Sequence, residues 1–177
     1  MKHSPFSSRT LRLLTLVCLG WLCASCATHR HLVLDPVGPP SATSPLDFVG
    51  TGFLKVYSAT ETREVGKFIN YYPHTPYTIY STNGQKFRWI ENSVAFIDES
   101  PALVRLPAGA YTIEAKDDDY GRVVVPIVIK GGDTTIVYLE ARKLPSGEAL
   151  SPTNAVRLPN GRLVGWRAQL HSGESRQ

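Results

Sequence analysis

The most reactive side chains in this sequence are its three cysteines, Cys18, Cys23 and Cys26, and all of them lie near the N-terminus. A thiolate is a nucleophile, a metal ligand or the acceptor of a covalent group. From Ala27 onward there is no cysteine, so that part of the chain cannot form a disulfide, a thiolate zinc site, an iron–sulfur cluster or a cysteine nucleophile. No cofactor is expected. Histidine is the next choice for near-neutral acid–base work, and beyond His29 and His31 only His74 and His171 remain. His74 sits in Tyr71-Tyr72-Pro73-His74-Thr75-Pro76-Tyr77, an aromatic, proline-rich turn, and reads as a solvent-facing loop residue rather than a catalytic base. A hydrolase needs a nucleophile, a base and an oxyanion donor in one place. There is no G-x-S-x-G elbow, no H-E-x-x-H pair and no phosphate-cradling glycine loop. The reading is non-enzymatic, with no catalytic residue.

Two acidic groupings raise the question of a metal. Asp117-Asp118-Asp119 offers three carboxylates, but calcium takes 6–8 oxygens, and consecutive residues point to alternating faces. A solvated loop tip is the better reading, and no metal site is expected. His29 and His31 with Asp35 fall in a proline-rich stretch without a scaffold to fix them. The aromatic grouping of Tyr71, Tyr72, Tyr77 and Tyr80, with Trp89, is more informative. Exposed rings of this kind stack on sugars or anchor a protein partner. Buried, they fill a core. Core filling is the reading for Trp89, beside Phe87 and Ile79, while both readings stay open for Tyr71 and Tyr72. The candidate ligand- or partner-binding residues are therefore Tyr71, Tyr72, His74, Tyr77 and Tyr80.

The elements that position these residues begin with the N-terminus. Lys2, Arg9 and Arg12 precede an apolar stretch over residues 13–22, and the small residues Ala24 and Ser25 follow. That order is a secretory signal, with an apolar part too short to cross a ~30 Å hydrocarbon core as a helix. Leu22-Cys23-Ala24-Ser25-Cys26 resembles the lipobox of bacterial lipoproteins, in which the last cysteine is lipidated and becomes the first residue of the mature chain. One place departs from that pattern: Cys23 stands where an aliphatic residue is usual, with Leu22 one step earlier. The alternative is an ordinary signal cleaved nearby, for example after Ala24. The lipobox resemblance implies membrane attachment through Cys26. Ala27, in place of the aspartate tied to inner-membrane retention, implies an outer-membrane destination facing the periplasm.

The chain has 19 Lys and Arg against 15 Asp and Glu, but Lys2, Arg9 and Arg12 belong to the signal. What remains is close to neutral, without the basic stripe that nucleic-acid binding requires. Pro36, Pro39, Pro40 and Pro45 exclude a continuous helix or central strand over residues 27–46, which reads as a tether. Strands are expected at residues 53–58, 77–81, 85–90, 102–106, 110–115, 122–129 and 134–140, rich in Val, Ile, Thr and Tyr. Asn83-Gly84 marks a tight hairpin, in which alternation puts Phe87 and Trp89 on one face and Lys86 and Arg88 on the other. Pro126 marks an edge or a bulge. A further hairpin is expected over residues 155–166, docked on the domain with Arg157, Arg162 and Arg167 outward as a basic rim for an anionic partner or lipid headgroups. The fold class is all-β, an antiparallel sandwich of about seven strands. Its expected core includes Leu106, Tyr111, Ile113, Val125, Ile127, Ile136 and Tyr138.

Val104-Arg105-Leu106-Pro107-Ala108-Gly109-Ala110-Tyr111-Thr112-Ile113 resembles the turn and strand of PEGA and carboxypeptidase-regulatory-like modules. Tyr120-Gly121, Val125-Pro126-Ile127-Val128-Ile129 and the stretch 132–140 continue the resemblance, which covers roughly residues 53–140. It implies an Ig- or transthyretin-like sandwich that serves as a surface or accessory domain without a catalytic set. The resulting organisation is a signal peptide at 1–25, a flexible tether at 26–51, a sandwich at 52–142, a linker at 143–152, a hairpin at 153–169 and a tail at 170–177. The expected function is that of a lipid-anchored cell-envelope protein acting as a structural or interaction module. The alternative is a carbohydrate- or peptidoglycan-binding accessory protein. Its partner is an envelope protein or a glycan, with no nucleic acid.

Overall fold

The computed structural model describes residues 31–39, 49–65, 69–94, 99–141 and 154–168. Cys26, the signal peptide, residues 143–152, the tail and His171 lie outside them. The strands, in chain order, are β1 (Leu32–Val33), β2 (Val37–Gly38), β3 (Thr51–Tyr57), β4 (Arg63–Val65), β5 (Ile69–Tyr71), β6 (Tyr77–Ser81), β7 (Lys86–Ile90), β8 (Leu103–Pro107), β9 (Gly109–Asp117), β10 (Gly121–Ile129), β11 (Thr134–Tyr138), β12 (Ala155–Arg157) and β13 (Leu163–Arg167). Among the described residues no helix is long and apolar enough to cross a membrane.

Local chemistry sets the hairpins. Gly84, at φ 79°, takes the left-handed turn position that a Cβ would strain. Asn83 closes the same turn by accepting from the Gln85 N–H and the Ser81 hydroxyl. The β6–β7, β6–β9 and β9–β10 pairs are all antiparallel. They form one end of a sheet ordered β12-β13-β2-β10-β9-β6-β7, with β1 also on β10. A second sheet, β11-β3-β8, lies across it, and β4 and β5 make a small ribbon.

Alternation supplies the core between the sheets. In β3, Gly52, Leu54 and Val56 are buried while their neighbours are half-exposed. Leu54, Val56, Leu106 and Val137 of the smaller sheet pack with Ile79, Ile113, Val123, Val125 and Ile127 of the larger one. The fold is thus an all-β sandwich. Antiparallel pairing dominates, and three pairings among the described residues are parallel: β1–β10, β2–β10 and β3–β11.

Three expectations are corrected, the first two by these parallel pairings. First, residues 31–39 are not tether. β1 and β2 pair with β10, and Val37 is fully buried. The prolines permit this because the pairing is interrupted: Val33 stands opposite Val124 and Val37 opposite Ile127. Pro126, which has no N–H to donate, falls at that gap. Second, β11 runs parallel to β3 with Thr135 opposite Leu54 and Val137 opposite Val56. Thr135, Val137 and Leu139 therefore face inward, the Thr135 hydroxyl donating to Val128 O at 2.6 Å. Ile136 is only half-buried, and Tyr138 is buried by stacking on Tyr57 at 5.2 Å rather than by the core. Tyr111 is half-buried at the core margin, while Leu106, Ile113, Val125 and Ile127 are core residues as expected.

Third, the C-terminal hairpin docks as an edge of the larger sheet, through β13 on β2. Val156, Leu158 and Val164 join the core. Its arginines do not form a free basic rim, because each has a partner. Arg162 pairs with Asp117 and Asp119, Arg167 meets Asp35 at 2.7 Å, and Arg157 donates to Gly161 O. Docking brings Arg162 and Arg167 onto carboxylates outside the hairpin, while Arg157 bonds within it.

Candidate functional site

The five aromatic and histidine positions do not form one cluster. Tyr71 and Tyr77 are 4% and 2% exposed, Tyr72 and Tyr80 are half-buried, and His74 is 5% exposed. The loop reading of His74 is therefore corrected. Residues 72–76 run back along residues 58–61, with Thr75 N–H donating to Ala59 O and Glu61 N–H to Pro73 O. This pairing carries the histidine inward.

His74 lines a cleft of about 310 Å³ with Lys55, Tyr57, Thr60, Glu99 and Glu140. Its Nδ1 stands 2.7 Å from Ser58 O, and since a carbonyl only accepts, Nδ1 carries a proton. Nε2 faces the Glu140 carboxylate at 3.9 Å, and the ring meets Tyr57 edge-on at 5.6 Å. Beneath it, Ser58 Oγ donates to Thr75 O at 2.6 Å. Asn92 completes the knot: its Nδ2 donates to Val56 O, Ser58 Oγ and Thr75 O, and its Oδ1 accepts from Ala102 N–H. Asn92 holds φ at 64°, a left-handed conformation that Asn tolerates better than most residues. Both ring nitrogens of His74 are thus directed at fixed oxygens, a geometry that positions the loop.

A second cleft, of about 220 Å³, lies on the outer face of the larger sheet. The expected alternation in β7 fails here for a physical reason. A bulge between Ile79 and Tyr80 shifts the register, so Tyr80 pairs with Lys86 while Ile79 pairs with Arg88. Phe87 then contacts Tyr111 at 5.5 Å, while Trp89 stands opposite Thr78. Trp89 is 49% exposed and does not fill the core. It lines the second cleft with Thr78, Glu114, Arg122 and Lys116. Arg122 hydrogen-bonds Glu114 and holds its carboxyl below the usual carboxylate range. Tyr80 donates to the other Glu114 oxygen at 3.3 Å, and burial together with that carboxylate pushes its phenol up. Burial also pushes up Tyr77, whose hydroxyl has no hydrogen-bond partner among the described residues.

The three consecutive aspartates have structural partners. Asp117 accepts from the Asp119 and Tyr120 N–H groups and pairs with Arg162, Asp118 accepts from Ala141 N–H, and Asp119 accepts from Asn160. Glu140, Asn92 and the exposure of Trp89 were not legible as site features. Only the Asn83-Gly84 turn, which makes β7 a strand, pointed toward the last.

No family model matches this chain, and no solved structure matches it. Among curated proteins, the uncharacterized lipoprotein YjbH of Escherichia coli strain K12 is 34% identical to it over 86 residues. That stretch is 49% of this chain and 11% of the relative, so the chain spans about a tenth of the protein it matches.

Proposed function

We propose that this chain is a lipoprotein of the bacterial cell envelope, anchored through lipid on Cys26, whose sandwich acts as a non-catalytic interaction module. The observation that carries the reading is the agreement of two independent signals. Leu22-Cys23-Ala24-Ser25-Cys26 ends a secretory signal, and the relative at 34% identity is itself named a lipoprotein. The PEGA-like turn at residues 104–113 and the outer-membrane, periplasm-facing placement implied by Ala27 belong to the same proposal.

The fold supports it in a specific way. Leu32 already pairs with β10, so five residues lie between it and Cys26, and that length of chain reaches at most about 22 Å. A lipid on Cys26 would therefore hold the sandwich within that reach of the bilayer, a position suited to assembly with other envelope components. In the His74 cleft, both ring nitrogens face protein oxygens, which supports a scaffolding role for that residue. The test is fractionation of cells expressing the full chain and its Cys26→Ser variant. The wild type should sediment with the outer membrane, and the variant should appear unprocessed or soluble. Identical distribution of the two proteins refutes the anchor.

A further inference from the structure

The register of the larger sheet places Trp89 opposite Thr78 and Thr78 opposite Glu114, a straight row across β7, β6 and β9. Neighbouring strands are about 4.8 Å apart, so the backbone of the row spans about 10 Å from Trp89 to Glu114. Its polar groups are already paired with one another. Glu114 is held by Arg122 and by the Tyr80 hydroxyl. Lys116 stands 3.9 Å from Glu61. The Arg122 side chain is 71% exposed, which leaves donors beyond those engaged by Glu114. Thr75, itself 4% exposed, borders the groove, and its hydroxyl has no hydrogen-bond partner among the described residues.

Charge narrows the ligand. Two carboxylates, Glu61 and Glu114, face two cations, Lys116 and Arg122, so the groove has no net field to draw a polyanion or a polycation. A cleft of about 220 Å³ is below the ~300–1,000 Å³ that takes drug-sized molecules. It suits one ring of a larger ligand. An exposed indole offers a flat apolar platform, and carboxylate and guanidinium groups bind paired hydroxyls through charge-assisted hydrogen bonds.

We propose that the groove between Trp89 and Glu114 binds one ring of an uncharged saccharide, stacked on the indole with its hydroxyls toward Glu114 and Arg122. This deepens the interaction-module reading by giving the module a ligand, and it moves sugar recognition from the buried tyrosines to Trp89. The test is calorimetric titration of the detergent-solubilised full chain with chitohexaose, cellohexaose and maltohexaose, alongside a set of extended peptides. At least one oligosaccharide should bind. Trp89→Ala should weaken it tenfold or more, Trp89→Phe about threefold, and Trp166→Phe on β13 not at all. Circular dichroism of each variant checks its folding. Binding of none of the three sugars, binding of peptides alone, or full affinity in folded Trp89→Ala overturns the proposal. Because the anchor is read separately by fractionation of Cys26→Ser, a failure here is distinguishable from a failure of the lipoprotein reading.

Discussion

Asn92→Ala tests the packing argument most sharply, because one side chain joins four parts of the fold. Its amide donates to Val56 O at 3.0 Å, to Ser58 Oγ at 2.9 Å and to Thr75 O at 3.3 Å, and its oxygen accepts from Ala102 N–H at 3.2 Å. After truncation, Ser58 Oγ and Thr75 O keep each other at 2.6 Å. Val56 O and Ala102 N–H lose their side-chain partner in a position where Asn92 is fully buried. Each such loss costs about 1–3 kcal/mol, and alanine at φ 64° adds about 1 kcal/mol. The expected loss is about 3–7 kcal/mol, a large part of the ~5–15 kcal/mol that holds a domain. Urea unfolding followed by circular dichroism, with linear extrapolation, reads it directly. Asn92→Gly separates the contributions: glycine accepts the positive φ, so it should lose about 1 kcal/mol less than alanine. A loss under about 1 kcal/mol for alanine, or a larger loss for glycine than for alanine, refutes the reasoning.

Other substitutions probe the remaining joints. Gly52→Ala would place a Cβ 2.0 Å from Lys130 O, a backbone atom, so the variant should fail to accumulate as folded protein, as measured by soluble yield and thermal melting. Arg162→Ala leaves the Asp117 carboxylate buried without its cation and should cost about 3–5 kcal/mol by urea unfolding. Truncation after residue 142 removes Val156, Leu158 and Val164 from the core, each worth about 1.5–3 kcal/mol. The truncated chain should melt far below the full one, and an equal melting temperature would show the hairpin to be a loose tail. Glu114 has a lowered folded pKa, so its contribution is present above the ~4.3 of an unfolded glutamate and is lost as pH falls through the folded value. The melting-temperature gap between wild type and Glu114→Gln should therefore close as pH is lowered from about 7 to about 3.

What the sequence disclosed was local. Asn83-Gly84 and Asn160-Gly161 each encode a turn in adjacent residues, and the hairpins they predict are present, while the turn at Pro107-Ala108-Gly109 carries the chain from β8 in the smaller sheet to β9 in the larger one. β1 and β2 are two residues each and carry no pattern of their own, because strands distant in sequence complete their pairing, β10 for both and β13 for β2. The facing of β11 was ambiguous, since both Ile136 and Val137 are apolar, and the parallel register on β3 decides it. The candidate site suffered from the same limit. One bulge, in which Phe87 of β7 is the extra residue opposite the Ile79–Tyr80 step of β6, separates Phe87 from Trp89, and no residue type in β7 announces it. His74 is buried by a pairing between residues 58–61 and 72–76, whose partners are distant in sequence.

A lipid on Cys26 would place this sandwich at the membrane, and intact-mass measurement of the mature protein, purified from membranes, is the decisive test of that proposal. The expected result is a chain that begins at Cys26 and carries the added mass of a diacylglyceryl group and an amide-linked acyl chain, with that mass absent from Cys26→Ser. An unmodified mature chain beginning at any other residue, or lipid retained in the variant, would contradict it.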